Sequence, residues 1–246
     1  MKRTWIFIIV SSVVLSMSLC PAYAQKGDES IAEALANYLI AGRLVIANNQ
    51  NLINDPDKGL KGFTSMVYEE QVANEFKKIS GIDIHGVSSQ DRYPLSRTLG
   101  SIHECALEVI SDVQKQINEP GKGFKGFNPA VFGVRVGNKL YKKTGIKIKQ
   151  TSMKYRADYN KPDDFEVKVL KKFEEDGEKG SPYLEVTTDG NEKVVRYMVP
   201  LYIEKSCLIC HGDPAGELDI SGRMKEGYKE GELRGAISVV LKTLQR

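Results

Sequence analysis

Two hydrophobic periodicities divide the chain. Through residues 31–158 apolar positions recur at helical spacing. In one stretch Leu99, Ile102, Ala106, Val109, Val113 and Ile117 form a single stripe, with Glu104 and Glu108 facing away. The segment Lys161 to Glu175 predicts a further helix starting at Pro162, with Asp163, Asp164 and Glu166 near its positive end. Thereafter the runs become β-rich: Tyr183 to Thr188, Val194 to Ile203 and Gly235 to Leu241. Asp189-Gly190-Asn191, between the first two, is a hairpin signature. The pattern predicts long helices followed by an antiparallel sheet, an α+β fold.

The helical part is duplicated. Ile53-Asn54-Asp55-Pro56-Asp57-Lys58-Gly59-Leu60-Lys61-Gly62-Phe63 recurs as Ile117-Asn118-Glu119-Pro120-Gly121-Lys122-Gly123-Phe124-Lys125-Gly126-Phe127. The same offset pairs Asn74 with Asn138, Gly81-Ile82 with Gly145-Ile146 and Arg92 with Arg156. Two units, 31–94 and 95–158, therefore share a plan: a long helix, a Pro/Gly-rich turn, a shorter helix and an exit through Gly-Ile-x-Ile. Ser30-x-x-Glu33 predicts a capping box opening the first helix, and Asp55-Pro56 ends it. The two Lys-Gly-x-Lys-Gly-Phe loops lack both a preceding strand and the full phosphate-loop spacing, so they are read as structural turns.

The first 24 residues stand apart. Lys2-Arg3, an apolar run from Trp5 to Leu19 and Ala22-Tyr23-Ala24 form a secretory signal, with cleavage expected after Ala24. Cys20 is expected to leave with it, and the mature protein to be soluble and periplasmic. Three parts follow: a signal peptide at 1–24, a helical module at 25–94, and a domain at 95–246 that joins the second unit to the sheet.

Composition narrows the function. Lys and Arg total 35 against 32 Asp and Glu, a net charge of +3, too near balance to suggest nucleic acid. With 3 His in the chain, acid/base or metal chemistry has few possible owners. Export leaves Cys105, Cys207 and Cys210, an odd number of thiols in an oxidising compartment.

Two of them belong to Cys207-Leu208-Ile209-Cys210-His211, the attachment sequence for c-type haem. Each residue type has its own task there: the thiols add to the two haem vinyl groups, and the histidine gives a nitrogen to iron. A Cys207–Cys210 disulfide or redox pair would leave His211 unused. A zinc site would need further ligands, and the chain has no second Cys-x-x-Cys. One covalent haem c is therefore expected.

The second axial ligand has several candidates. Cys105 leads, because it is the thiol that haem attachment leaves over, and iron would protect it. His103 lies nearly opposite Cys105 on the same helix, so both cannot face one iron. Met198 and Met224 are possible thioether ligands.

The stretch Lys149 to Glu166, containing Arg156, Asn160 and Pro162, is followed by Tyr197-Met-Val-Pro200, by Glu204-Lys-Ser-Cys207-Leu-Ile-Cys-His211-Gly212-Asp213-Pro214, and by Leu233-Arg-Gly-Ala-Ile-Ser-Val239. Together these resemble the family of exported c-type haem proteins with a PAS-like fold, over roughly residues 95–244. The resemblance implies a PAS-like antiparallel sheet carrying one haem, with a cysteine from the helical region as the other axial ligand, a place matched by Cys105. It implies a redox or small-gas sensor for NO or CO, read by a redox partner or a membrane sensor protein; a simple electron-transfer cytochrome is the alternative. No enzyme activity is expected, since a haem enzyme would need acid/base groups at an open site. Oligomeric state is open.

Overall fold

A computed structural model describes residues 21–177 and 180–243. The Lys2-Arg3 and Trp5–Leu19 parts of the expected signal, and Cys20, lie outside the described residues.

The duplication folds as two matching helical units. The first has α1 (Pro21–Asn48), a one-turn continuation α2 (Gln50–Ile53) and α3 (Ser65–Ser80); the second has α4 (Pro94–Asp112), α5 (Gln114–Ile117) and α6 (Pro129–Thr144). The shorter helices start and stop by the same chemistry. Thr64 accepts the Val67 backbone N–H and Asn128 accepts that of Val131, while Gly81 (φ 72°) and Gly145 (φ 77°) end the helices in the left-handed region that glycine adopts freely.

The units are tied reciprocally. Lys61 donates its backbone N–H to Asn118 Oδ1 at 3.0 Å, and Lys125 donates to Asn54 Oδ1 at 2.9 Å. Gln50 reaches the Phe127 carbonyl and Gln114 the Phe63 carbonyl. Each side chain thus closes the other unit's turn, giving the helices a pseudo-two-fold arrangement. The Lys-Gly-x-Lys-Gly-Phe loops are structural: the Lys61 ammonium is buried against the carbonyls of Asp55 and Lys58, and that of Lys125 against those of Glu119 and Lys122.

The helix start expected at Ser30 is corrected. Helix α1 runs unbroken from Pro21, so Ser30 is an interior residue; Asp28, ahead of it, is already buried in the core. From Gly27 to Asn48 this helix is long and apolar enough to cross a membrane, and 61% of its 18-residue apolar window is buried within the protein. Its apolar character follows from its central place: it touches α3, α4, α6, β3 and β4.

Four strands form one antiparallel sheet in the order β1-β4-β3-β2: β1 (Lys147–Thr151), β2 (Tyr183–Asp189), β3 (Glu192–Tyr202) and β4 (Leu233–Lys242). Alternation sorts the faces. Val195, Tyr197, Ile237, Val239 and Leu241 join the helical core, whereas Met198 and Ala236 face α7 (Asp164–Asp176) through Val169, Leu170 and Phe173. Helices, sheet and α7 therefore make three layers, and the first core runs from Ile31 to Leu241 across the 94/95 boundary.

The predicted hairpin is present, with Gly190 (φ 62°) opening a two-residue turn between the paired residues Asp189 and Glu192. Helix α7 starts later than expected. Its N-cap is Asp163, in a capping box with Glu166, and Pro162 lies outside. Glu166 is 1% exposed, because it also takes Lys149 in an ion pair at 2.9 Å. Strand β1 was not foreseen: Lys147-Ile148-Lys149-Gln150-Thr151 alternates weakly and follows directly on the Gly145 helix stop.

Candidate haem-attachment site

The Cys-x-x-Cys-His motif lies in the connection between β3 and β4. Glu204 precedes a 3-10 turn (Lys205–Cys207), which runs into the one-turn helix α8 (Leu208–His211). The connection is pinned at both ends: Ile203 N–H donates to the Glu232 carbonyl, Gly231 N–H to the Ile203 carbonyl, and Tyr228 N–H to the His211 carbonyl, all at 2.8–2.9 Å. The short helix places Cys207, Cys210 and His211 together on a single cavity.

Arg156 locks this segment. Its guanidinium donates to the Cys210 carbonyl at 2.6 Å, to Asp219 at 2.6 Å and to Glu226 at 2.5 and 2.6 Å. Glu226 in turn stands 2.9 Å from His211 Nδ1. Burial pushes the Glu226 carboxyl up, but the hydrogen bonds from His211 and Arg156 outweigh it and hold the group down at about 2. The ring of His211 is pushed down by desolvation, against the pull of Glu226. The imidazole is thus neutral near pH 7, with Nδ1–H donating to the carboxylate and the Nε2 lone pair free to bind a metal.

The cavity holds about 390 Å³, within the range of cofactor sites. Helix α1 lines it with Ile40, Arg43, Leu44 and Ala47; the opposite lining comes from β1, the 155–160 segment and the motif. Three buried side-chain atoms without a hydrogen-bond partner belong to its lining: Arg43 Nε, Gln150 Oε1 and Asn160 Oδ1. Buried polar atoms are ordinarily satisfied, so this one donor and these two acceptors are open to hydrogen bonds from whatever occupies the cavity. Two thiols, a neutral imidazole and a cavity with open polar valences fit a covalently held haem.

The other candidate ligands lie elsewhere. Cys105 is 1% exposed in the helical core, does not line the cavity, and has its thiol pushed up by desolvation. The duplication gives the reason. Cys105 matches Ala41, and it is the α1 stretch from Ile40 to Ala47, not α4, that faces the cavity. His103 is a satisfied core residue, its Nδ1 2.9 Å from Tyr38 Oη and its Nε2 3.4 Å from Glu69. Met198 is fully buried against α7 and Met224 is exposed; neither lines the cavity. Cys207 and Cys210 are free thiols.

Sequence reasoning missed Glu226 and Arg43. Glu226 sits in an irregular segment with no motif spacing to His211. Arg43 carries no distinguishing pattern within an amphipathic helix.

Over residues 22–241 the sequence matches the model of the Tll0287-like family, and the chain belongs to that family. A solved structure described as the cyanobacterial heme-protein Tll0287 is similar at 20% identity, covering 61% of this chain and 92% of that one, with a TM-score of 0.41. No curated protein matches the sequence.

Proposed function

We propose that this is an exported protein carrying one covalent haem c on Cys207, Cys210 and His211, and that it acts as a redox or small-gas sensor. One observation carries the reading: both thiols of the motif and a carboxylate-oriented, neutral imidazole line one cavity with unsatisfied polar groups. Family membership supports it, since Tll0287 is itself described as a heme-protein. Cys207 and Cys210 would hold the haem as thioethers, each thiol adding across one vinyl group with its hydrogen passing to the neighbouring carbon, and His211 would offer a nitrogen to the iron. When bound, the haem supplies one-electron redox chemistry and an iron that takes small ligands.

The chain's own part is to bind and orient. Glu226 fixes the His211 tautomer, Arg156 holds the backbone of the motif, and α1 covers the cavity. Among the described residues the cavity is lined by no Cys, His or Met outside the motif, and the side chains that could reach a second iron position are the tyrosines Tyr155, Tyr159 and Tyr202. The four-stranded antiparallel sheet supports the PAS-like reading. Cleavage after Ala24 would leave α1 beginning at Gln25.

A second reading is electron transfer, favoured by the exposed apolar residues Ile209, Leu218 and Ile220 beside the motif, a face suited to a redox partner. Carbon monoxide separates the two. A sensor with an open iron position binds CO on reduction, with a sharp shift of the Soret band; an unchanged reduced spectrum under CO would assign electron transfer.

A further inference from the structure

The cavity is unevenly charged. Its lining carries four arginines, Arg43, Arg156, Arg223 and Arg234, against two carboxylates, Glu204 and Asp219. Three of the arginines are occupied within the protein. Arg156 is held by Asp219 and Glu226, Arg223 donates to the Arg156 carbonyl, and Arg234 donates to Ser152 Oγ at 2.7 Å and lies 3.6 Å from Glu226. Arg43 differs from them. Its Nε is buried without a hydrogen-bond partner, and among the described residues it makes no ion pair.

The surroundings of Arg43 offer it no counter-charge. The ionisable groups that bear on it are the Cys207 thiol and the like-charged Arg234, and its pKa is brought down to about 10 chiefly by desolvation. It therefore remains a cation at neutral pH. Its stem passes Gly133 of α6, where a side-chain carbon would lie 3.6 Å from Arg43 Cδ and 3.9 Å from Gln150 Oε1. The Arg43 stem and the Gln150 amide oxygen, itself an acceptor, thus lie on one side of the cavity near Gly133. Arg43 is half-buried as a whole, with Nε its buried, unpartnered atom, and a buried donor without an acceptor favours any acceptor that arrives.

We infer that Arg43 is the receiving cation for one oxyanion of the carboxylate class that enters this cavity. Two sources share that chemistry: a propionate of the haem, or a small diffusible anion. The inference rests on the proposed haem only for the first source. A guanidinium suits the role because its planar fork matches two carboxylate oxygens.

The test compares the wild-type protein matured in a haem-attaching host with Arg43→Leu, and with Arg43→Lys as a charge-retaining control. Resonance Raman spectra follow the propionate bending band, and absorbance titrations with azide and with formate follow diffusible anions. A shifted propionate band in Arg43→Leu, restored in part by Arg43→Lys, assigns the haem's own carboxylate. A loss of at least tenfold in azide or formate affinity with an unmoved band assigns a diffusible anion. No change in either readout overturns the inference. If the wild type matures without haem, the haem reading fails separately. Arg43 is then tested on the haem-free chain by thermal shift with formate and with phosphate. Stabilisation by either anion that is lost in Arg43→Leu upholds the site, and equal behaviour of the two proteins removes it. A haem-free Arg43→Leu protein at least as stable as wild type is also expected, whereas a purely structural arginine would leave the variant weaker.

Discussion

His211 Nδ1 and Glu226 Oε2 stand 2.9 Å apart, and the far side of that carboxylate is gripped by Arg156, which also holds the Cys210 carbonyl. The ring that would bind iron and the backbone that would carry the second thioether are therefore fixed by one charge network. Glu226→Gln keeps the shape of the acceptor and removes its charge. Because the negative charge favours ferric iron, the haem reduction potential is expected to rise on the order of 60 mV, a tenfold change in a one-electron equilibrium. Spectroelectrochemistry of the two proteins checks this; an unmoved potential would separate Glu226 from the iron.

The same carboxylate sets an acid limit. Its folded pKa of about 2 lies below the ordinary 4.5, so its contribution is fully present above about pH 4.5 and is lost as pH falls toward 2. Circular dichroism during acid titration is expected to show unfolding of Glu226→Gln at a higher pH than wild type. Coincident transitions would show that the carboxylate is not stabilised in the fold.

The swapped hydrogen bonds of the helical units predict a symmetric sensitivity. Asn54→Ala strands the buried Lys125 N–H, and Asn118→Ala strands that of Lys61. Each is expected to cost about 1–3 kcal/mol, the penalty for an unsatisfied buried donor. Thermal melts check the pair, and a loss confined to one of them would break the pseudo-two-fold reading.

Close backbone approach makes two glycines indispensable. A Cβ on Gly137 would lie 2.4 Å from the Ile148 carbonyl oxygen, and one on Gly100 would lie 2.2 Å from the Ser88 backbone. Either Gly→Ala change forces a backbone shift, expected at about 1–3 kcal/mol. Gly59→Ala, with open space around its position, serves as the control in the same urea unfolding series.

Cys105 supplies a prediction of the opposite kind. Being buried in the helical core away from the cavity, it is expected to leave the ferric absorbance and paramagnetic resonance spectra unchanged when replaced by Ala. A change from low-spin to high-spin iron would restore it as an axial ligand.

These residues show what a sequence can carry. The repeat, the Gly81 and Gly145 stops, the Gly190 turn and the Cys207–His211 motif were legible because each depends on local chemistry: a positive φ, a tight turn, or adjacent reactive groups. Strand β1 was not, since its five residues become a strand only by pairing with β4. Nor was the start of α1, where tertiary burial of Asp28 overrides the capping signal at Ser30. Local pattern favours Cys105 as a ligand, whereas which of two duplicated helices turns toward the cavity is set by tertiary packing. Glu226 and Arg43 act through contacts 15 residues away or more, for which periodicity has no signature.

The central claim is that sulfur from Cys207 and Cys210 tethers one haem. Intact-mass spectrometry of the protein secreted by a haem-attaching host, read beside its pyridine haemochrome spectrum, tests it most directly. The expected result is the cleaved chain plus one haem, with a haemochrome typical of two thioethers and the added mass lost in Cys207→Ala/Cys210→Ala. A colourless chain at its bare polypeptide mass would contradict the account.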